Sequence, residues 1–228
     1  MRTLGGRFIV FDGPDGSGKS TQLERFAGEA TEAGLTICRV REPGGTAIGE
    51  AIREVLLDRE HSEMTATTEV MLYMASRAQL CAQEIAPALE RGELVLADRF
   101  LSSTLAYQGT AGGVAFDAIV EVGEVATGGV MPHLTLIFDV DERTRTERLT
   151  GAPKRRSKRN ESGPSLFADR IEDKDAQFHA RVRQGYLDQA QRWPEACAVI
   201  DARGEPDEVY AEAIKAIRER GAGREASP

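Results

Sequence analysis

Phe11-Asp12-Gly13-Pro14-Asp15-Gly16-Ser17-Gly18-Lys19-Ser20-Thr21-Gln22 is the stretch that sets the fold. Its central part, Gly13 to Ser20, fits the pattern G-x-x-x-x-G-K-[ST]. A β-rich run, Arg7-Phe8-Ile9-Val10-Phe11, leads into it. A helical stretch, Ser20 to Ala33, leaves it, with Leu23, Phe26, Ala27 and Ala30 on one face. Glycines let backbone N–H groups turn inward around phosphate oxygens, and the helix that follows points its positive end at the same anion. Lys19 is expected to reach the β- and γ-phosphates of ATP, and the Ser20 hydroxyl to hold Mg²⁺. The ATP-binding set predicted here is Gly13, Pro14, Asp15, Gly16, Ser17, Gly18, Lys19, Ser20 and Thr21. A P-loop alone does not separate kinases from GTPases, motors or partition ATPases.

Outward from the loop, strands and helices alternate. Gly34 stops the first helix, and Leu35 to Val40 reads as a second strand. Arg41 to Thr46 is a loop, marked by Pro43-Gly44-Gly45. Ile48 to Leu57 is helical, with Ile52, Val55 and Leu56 spaced for one face. Thr65 to Arg91 is a long helical region with a bend near Pro87. Leu94 to Ala97 is a strand ending at Asp98, and Val114 to Thr127 a helix. Leu134 to Phe138 is a strand followed by Asp139, and Glu142 to Leu149 starts a helix. Ala168 to Arg192 is a long helix with Phe178, Val182 and Tyr186 at four-residue spacing. Cys197 to Ile200 is the fifth strand, and Pro206 to Arg220 the last helix. Short apolar strands separated by helices predict an α/β fold, a five-stranded parallel sheet with helices on both faces. Residues 1–220 are read as a single domain and 221–228 as a frayed tail. Gly151 to Pro164 holds Lys154, Arg155, Arg156, Lys158 and Arg159 with almost nothing apolar, and is read as a basic lid loop spanning about 150–165.

The bulk numbers bound the function. A chain of 228 residues fits one domain, and 41% hydrophobic residues can bury a core. A net charge of −8 argues against nucleic acid as partner. Cys38, Cys81 and Cys197 have no metal or redox spacing and read as reduced thiols. No apolar run approaches the roughly 18 residues of a membrane span. Met1 to Arg7 has no signal-peptide pattern, so the expectation is a soluble, cytoplasmic protein. His61, His133 and His179 are scattered and form no triad or zinc site.

Other features gather where ligands bind, at the carboxyl ends of parallel strands. Arg41-Glu42-Pro43-Gly44-Gly45-Thr46 follows the second strand, and Asp98-Arg99 ends the third. Arg77 lies one turn after Tyr73 on the long middle helix, so the two share a face. Arg41, Arg77 and Arg99 are expected to converge on a second phosphate beside the P-loop, and Tyr73 to stack on a base. That is the equipment for moving a phosphoryl group onto a monophosphate.

With these residues in hand, the chain resembles the bacterial thymidylate kinases. The resemblance rests on the opening stretch, on Arg41 to Thr46, and on Leu72-Tyr73-Met74-Ala75-Ser76-Arg77. It continues through Asp98-Arg99-Phe100 with Ser103, Ala106-Tyr107-Gln108-Gly109, and Asp169-Arg170-Ile171-Glu172. The resemblance implies a P-loop nucleoside monophosphate kinase fold, a homodimer, and transfer of phosphate from Mg²⁺-ATP to dTMP, giving dTDP for dTTP biosynthesis. It implies that Asp15 meets the sugar 3′-hydroxyl and helps organise Mg²⁺, and that Arg41, Arg77 and Arg99 bind the acceptor phosphate. Tyr73 stands where the family usually has a stacking Phe. Ser103, Thr104 and Gln108 line the base side, and Tyr107 packs under the deoxyribose. Asp98 is preferred over Asp139 as the strand-end acid, so the metal set is Ser20, Asp15 and Asp98. Some members carry an Arg just after the P-loop acid, where this chain has Gly16. Arg155, Arg156 or Arg159 is therefore expected to join Asp15, Lys19 and Arg99 in catalysis. Asp169 and Glu172 read equally well as a helix start with favourable charge.

Two rivals stand against this reading. A deoxynucleoside kinase shares the P-loop but has no use for an arginine clamp on an acceptor phosphate. A P-loop switch or partition ATPase needs no second nucleotide pocket, and the Asn-Lys-x-Asp guanine reader of a GTPase does not occur.

Overall fold

The computed structural model describes residues 2–151 and 174–221. Five strands, β1 (Phe8–Asp12), β2 (Ile37–Arg41), β3 (Leu94–Asp98), β4 (Leu134–Asp139) and β5 (Cys197–Asp201), form one parallel sheet in the order β2-β3-β1-β4-β5. β1 is central, with Phe8 opposite Val95 on one side and Ile9 opposite Leu134 on the other. Every residue of β1 is buried. A strand covered on both faces has no polar side, which is why it reads as an unbroken apolar run.

The period-two pleat sends alternate residues of β1 into two cores. Ile9 and Phe11 join Leu23, Phe26 and Ala30 of helix α1 (Lys19–Glu32), and Val209, Tyr210 and Ile217 of the last helix, α9 (Pro206–Arg220). There Phe11 stacks on Phe138 with ring centroids 5.8 Å apart. Phe8 and Val10 join Val70, Met74, Leu80, Phe100, Leu105 and Ile119 on the other face. That face is covered by α3 (Ala66–Leu80) and α6 (Phe116–Thr127). Each of these large side chains contributes about 1.5–3 kcal/mol by leaving water. The chain after β1 and the chain after its neighbour β3 therefore leave for opposite faces, opening a crevice at their carboxyl ends.

Several elements differ from expectation. α2 (Ala47–Leu57) buries Gly49, Arg53 and Leu56, while Val55 is 41% exposed. The long middle helix breaks into α3, a π-helical turn at Cys81–Ile85 and α4 (Ala86–Glu90). Pro87 has no N–H to give one turn back, and the wider π turn just before it absorbs the loss. Residues 101–111, which no periodicity marks, are helical: α5 (Leu101–Thr104) runs into a π-helical segment at Leu105–Ala111. α7 (Glu142–Gly151), α8 (Ala176–Arg192) and two 3-10 turns, at Arg2–Leu4 and Arg59–His61, complete the described elements. Thr150 and Gly151 end α7; the lid stretch from 152 on, Asp169 to Glu172 and the tail from 222 on lie outside the described residues. The three cysteines are free, and burial pushes the thiols of Cys81 and Cys197 up to about 12.

Candidate active site

The P-loop joins β1 to α1 as expected. Thr46, Thr65 and Asp175 cap α2, α3 and α8 with side-chain oxygens, but Gly18 at the start of α1 gives no side-chain cap. The first N–H groups of α1 are thus left for an anion. Gly16 sits at φ +81°, and a Cβ there would lie 3.1 Å from the Arg145 carbonyl of α7. A side chain at this position would strain the left-handed backbone and crowd α7 by a few tenths of an ångström.

Asp15, Lys19 and Arg99 meet. Lys19 Nζ donates to Asp15 Oδ1 at 2.8 Å, and Arg99 Nη2 donates to the same oxygen at 2.6 Å. All three residues are buried. Burial pushes the Asp15 carboxyl up, but the charges of Lys19 and Arg99 outweigh it and hold the group well below the usual carboxylate range. Burial lowers Arg99, and Asp15 with its neighbours raises it well above its ordinary value. Arg99 stands in left-handed backbone, φ +74°, which a non-glycine residue adopts at a cost.

Asp12 holds it there. This fully buried carboxylate accepts from Gly13 N (2.8 Å), Ser103 Oγ (2.7 Å) and Tyr186 OH (2.7 Å) through Oδ1, and from Ser102 Oγ (2.5 Å) through Oδ2. Arg99 Nη1 donates to Ser103 Oγ at 2.8 Å and to Tyr186 OH at 3.1 Å. Burial and the Asp12 charge push the Tyr186 phenol well above its ordinary range, so it remains a donor. The Tyr107 ring lies under Arg99, 5.4 Å from the guanidinium carbon.

Ser20 and Asp98 also meet: Ser20 Oγ donates to Asp98 Oδ2 at 2.7 Å. Asp98 Oδ1 is buried and has no hydrogen-bond partner among the described residues. A hydroxyl and one carboxylate oxygen awaiting a partner fit Mg²⁺, which takes few protein ligands and fills its sphere with phosphate oxygens and water. Among the described residues no group of three or more His, Cys, Asp or Glu could hold a metal unaided. Of the expected metal set, Asp15 is the member already engaged by two cations. Asp139 is taken by Arg183, at 2.6 and 2.8 Å.

The other two arginines each face a carboxylate. Arg41 Nη2 donates to both oxygens of Glu50 at 2.9 Å. Arg77 is 1% exposed; its Nε donates to both oxygens of Glu42 at 3.0 Å and its Nη2 to Glu42 at 2.6 Å and Thr104 Oγ1 at 3.1 Å. Burial pushes Glu42 up, against the pull of Arg77. Arg77, expected in the phosphate clamp, thus lies among Glu42, Met74 and Thr104. Gln108 Nε2 donates to Glu69 at 2.9 Å, and Tyr73 is half-buried on α3. Arg155, Arg156 and Arg159 lie outside the described residues.

The chain matches the family model for thymidylate kinase over residues 11–213. The chain belongs to the thymidylate kinase family. It is 44% identical over 214 residues to the thymidylate kinase of Pelotomaculum thermopropionicum, covering 94% of each chain. It is 42% identical over 218 residues to that of Deinococcus radiodurans, covering 95% of this chain and 98% of the relative. The crystal structure of thymidylate kinase from Ehrlichia chaffeensis superposes with a TM-score of 0.72 at 29% identity, covering 94% of this chain and 99% of the other. The thymidylate kinase resemblance includes Asp12 and Glu42 in its matching stretches but gave no role to them, nor to Tyr186, Glu69 or Arg148. Arg148 Nη1 donates to the Ala202 carbonyl at 2.8 Å and, more weakly, to Gly16 and Ser17 carbonyls, tying the P-loop to the loop after β5. For Asp12 a signal existed: a carboxylate at the end of a wholly apolar strand cannot stay buried without donors around it.

Proposed function

We propose that this chain transfers the γ-phosphoryl group of ATP to dTMP, giving dTDP and ADP, a step toward dTTP. The observation that carries the reading is the meeting of Lys19 and Arg99 on one oxygen of Asp15. It supports a donor cradle and an acceptor clamp one carboxylate apart. The acceptor phosphate is already an anion near neutral pH, so no base is needed, and catalysis is positioning plus charge neutralisation.

On this reading the P-loop N–H groups and the open end of α1 cradle the ATP phosphates, and Lys19 exchanges Asp15 for the β- and γ-oxygens. Asp15 then meets the sugar hydroxyl. Arg99 turns to the acceptor phosphate with Arg41. Arg77, whose charge Glu42 offsets and which shares Thr104, supports the base pocket better than the clamp. Tyr73 stacks on the base, Gln108 reads its edge, and Tyr107 packs against the sugar. Ser20 and Asp98 would hold Mg²⁺, which supplies charge neutralisation on the phosphates. Arg155, Arg156 or Arg159 supplies the cation that Gly16 cannot. Residues 1–220 act as one domain, as a homodimer, in the cytoplasm. No helix among the described residues is long and apolar enough to cross a membrane.

A coupled ADP-release assay with Mg²⁺-ATP tests this, with dTMP, dUMP, dGMP and thymidine as acceptors. Fast turnover with dTMP and little with thymidine is expected. Turnover with thymidine would make the chain a nucleoside kinase, and turnover independent of any acceptor would make it a switch ATPase. Run on Ala variants of Arg155, Arg156 and Arg159, the assay should show a strong loss of kcat in at least one; full turnover in all three removes the lid assignment.

A further inference from the structure

Glu69 lies on α3 and Gln108 in the π-helical segment 105–111, and both are buried. Gln108 Nε2 donates to Glu69 Oε2 at 2.9 Å. A side-chain amide has a donor end and an acceptor end, and left to itself it turns over to suit whichever partner arrives. A carboxylate has no hydrogen to give. It can face only the NH2 end, so Oε1 is turned away from it. The buried setting makes the reverse orientation costly, because it would bring two acceptor oxygens together out of water.

We infer that Glu69 is a positioning residue for base specificity, locking Gln108 so that it offers an acceptor oxygen to the base. The inference rests on the reading of Gln108 as a base-side residue. Thymine and uracil carry an N–H at ring position 3, a donor that Oε1 accepts. Cytosine has a bare acceptor nitrogen there, so a locked Oε1 opposes it. A free amide would turn and serve both. Discrimination against cytosine then comes from a carboxylate that never touches the substrate, as a built-in mismatch against the wrong partner.

The test compares kcat/KM for dTMP, dUMP and dCMP on the wild-type enzyme, Glu69→Gln and Gln108→Ala. Gln at position 69 keeps the shape but can donate or accept, so it satisfies either orientation of Gln108. The dCMP-to-dTMP ratio should rise roughly tenfold in Glu69→Gln, the scale of one mismatched buried hydrogen bond. The dUMP-to-dTMP ratio should not move, because those two bases share the same edge. Gln108→Ala should lose roughly tenfold with dTMP. If Gln108→Ala keeps full efficiency with dTMP, the base-side reading fails. If Gln108→Ala loses efficiency but Glu69→Gln leaves the dCMP ratio unchanged, the role of Glu69 alone is overturned. A parallel rise in the dUMP ratio would mean a loosened pocket, and would overturn it as well.

Discussion

Asp15 accepts from Lys19 and Arg99 through a single oxygen, and its charge state follows from that contest. Burial pushes a carboxyl up; the two cations push it further down. The folded value lies below the unfolded one, about 3.9. Ionised Asp15 therefore contributes stability that is fully present above that value and is lost as pH falls through the lower, folded one. Over the range where a kinase works, Asp15 does not titrate. The acid limb of kcat/KM for dTMP then belongs to the acceptor phosphate, whose second ionisation lies near about 6. Asp15→Asn should lower kcat/KM by roughly 10²-fold or more, as when a preorganised polar group is lost. It should leave the limb at the same pH. A pH–rate profile in which the limb shifts with Asp15→Asn would place the titrating group at Asp15 instead.

Elements were legible in proportion to their periodicity. The strands stood out because a strand covered on both faces is a short apolar run, and β3, β4 and β5 lie within a residue or two of their expected places. Glycine, lysine and serine in the P-loop were legible because phosphate chemistry demands them there. Residues 101–111 were not. Ser102, Thr104 and Gln108 are buried there to make polar contacts, so the segment shows no apolar stripe although it is helical. Of its partners, Asp12 was betrayed by its place at the end of an apolar strand, whereas Tyr186 and Glu69 were hidden because their roles are set by contacts distant in the chain. α8 packs closely on this segment at Gly185, where an added Cβ would lie 2.6 Å from Thr110 Oγ1 and 3.1 Å from the Ala106 Cα. Gly185→Ala gains about 1 kcal/mol of helix propensity. Overpacking costs up to about 3 kcal/mol and wins. The melting temperature should fall by about 2–8 °C in a calorimetric scan. The KM for dTMP should rise too, because Tyr107 and Gln108 ride on the displaced segment. A melting temperature at or above wild type would mean that α8 and the segment separate at little cost.

At the scale of the molecule, the exposure of Val55 on α2 is informative. Ile48, Ile52 and Val55 form a stripe along one side of that helix, yet the side buried within the chain is Gly49, Arg53 and Leu56. Arg53 is spent on the Pro43 carbonyl, at 2.9 Å, bracing the loop that carries Arg41 and Glu42. Periodicity put Ile52, Val55 and Leu56 on one face, and the structure buries only Leu56 of the three. Ile48 is 56% exposed, Val55 41%, and Met71 on the adjacent α3 53%. An apolar stripe continued across two packed helices is what a second copy of the chain would cover, and a two-fold axis through it would bring each residue near its own mate. Sedimentation velocity at micromolar concentration should therefore find the wild-type enzyme at twice the chain mass. Val55→Glu would set two carboxylates near each other in a drying interface and should give monomers. Loss of the dimer should loosen α2 and α3, and with them Arg41, Tyr73 and Arg77, so acceptor affinity should fall alongside mass. A wild-type enzyme that sediments as a monomer, or a Val55→Glu variant that remains dimeric, would leave the stripe uncovered by a second copy.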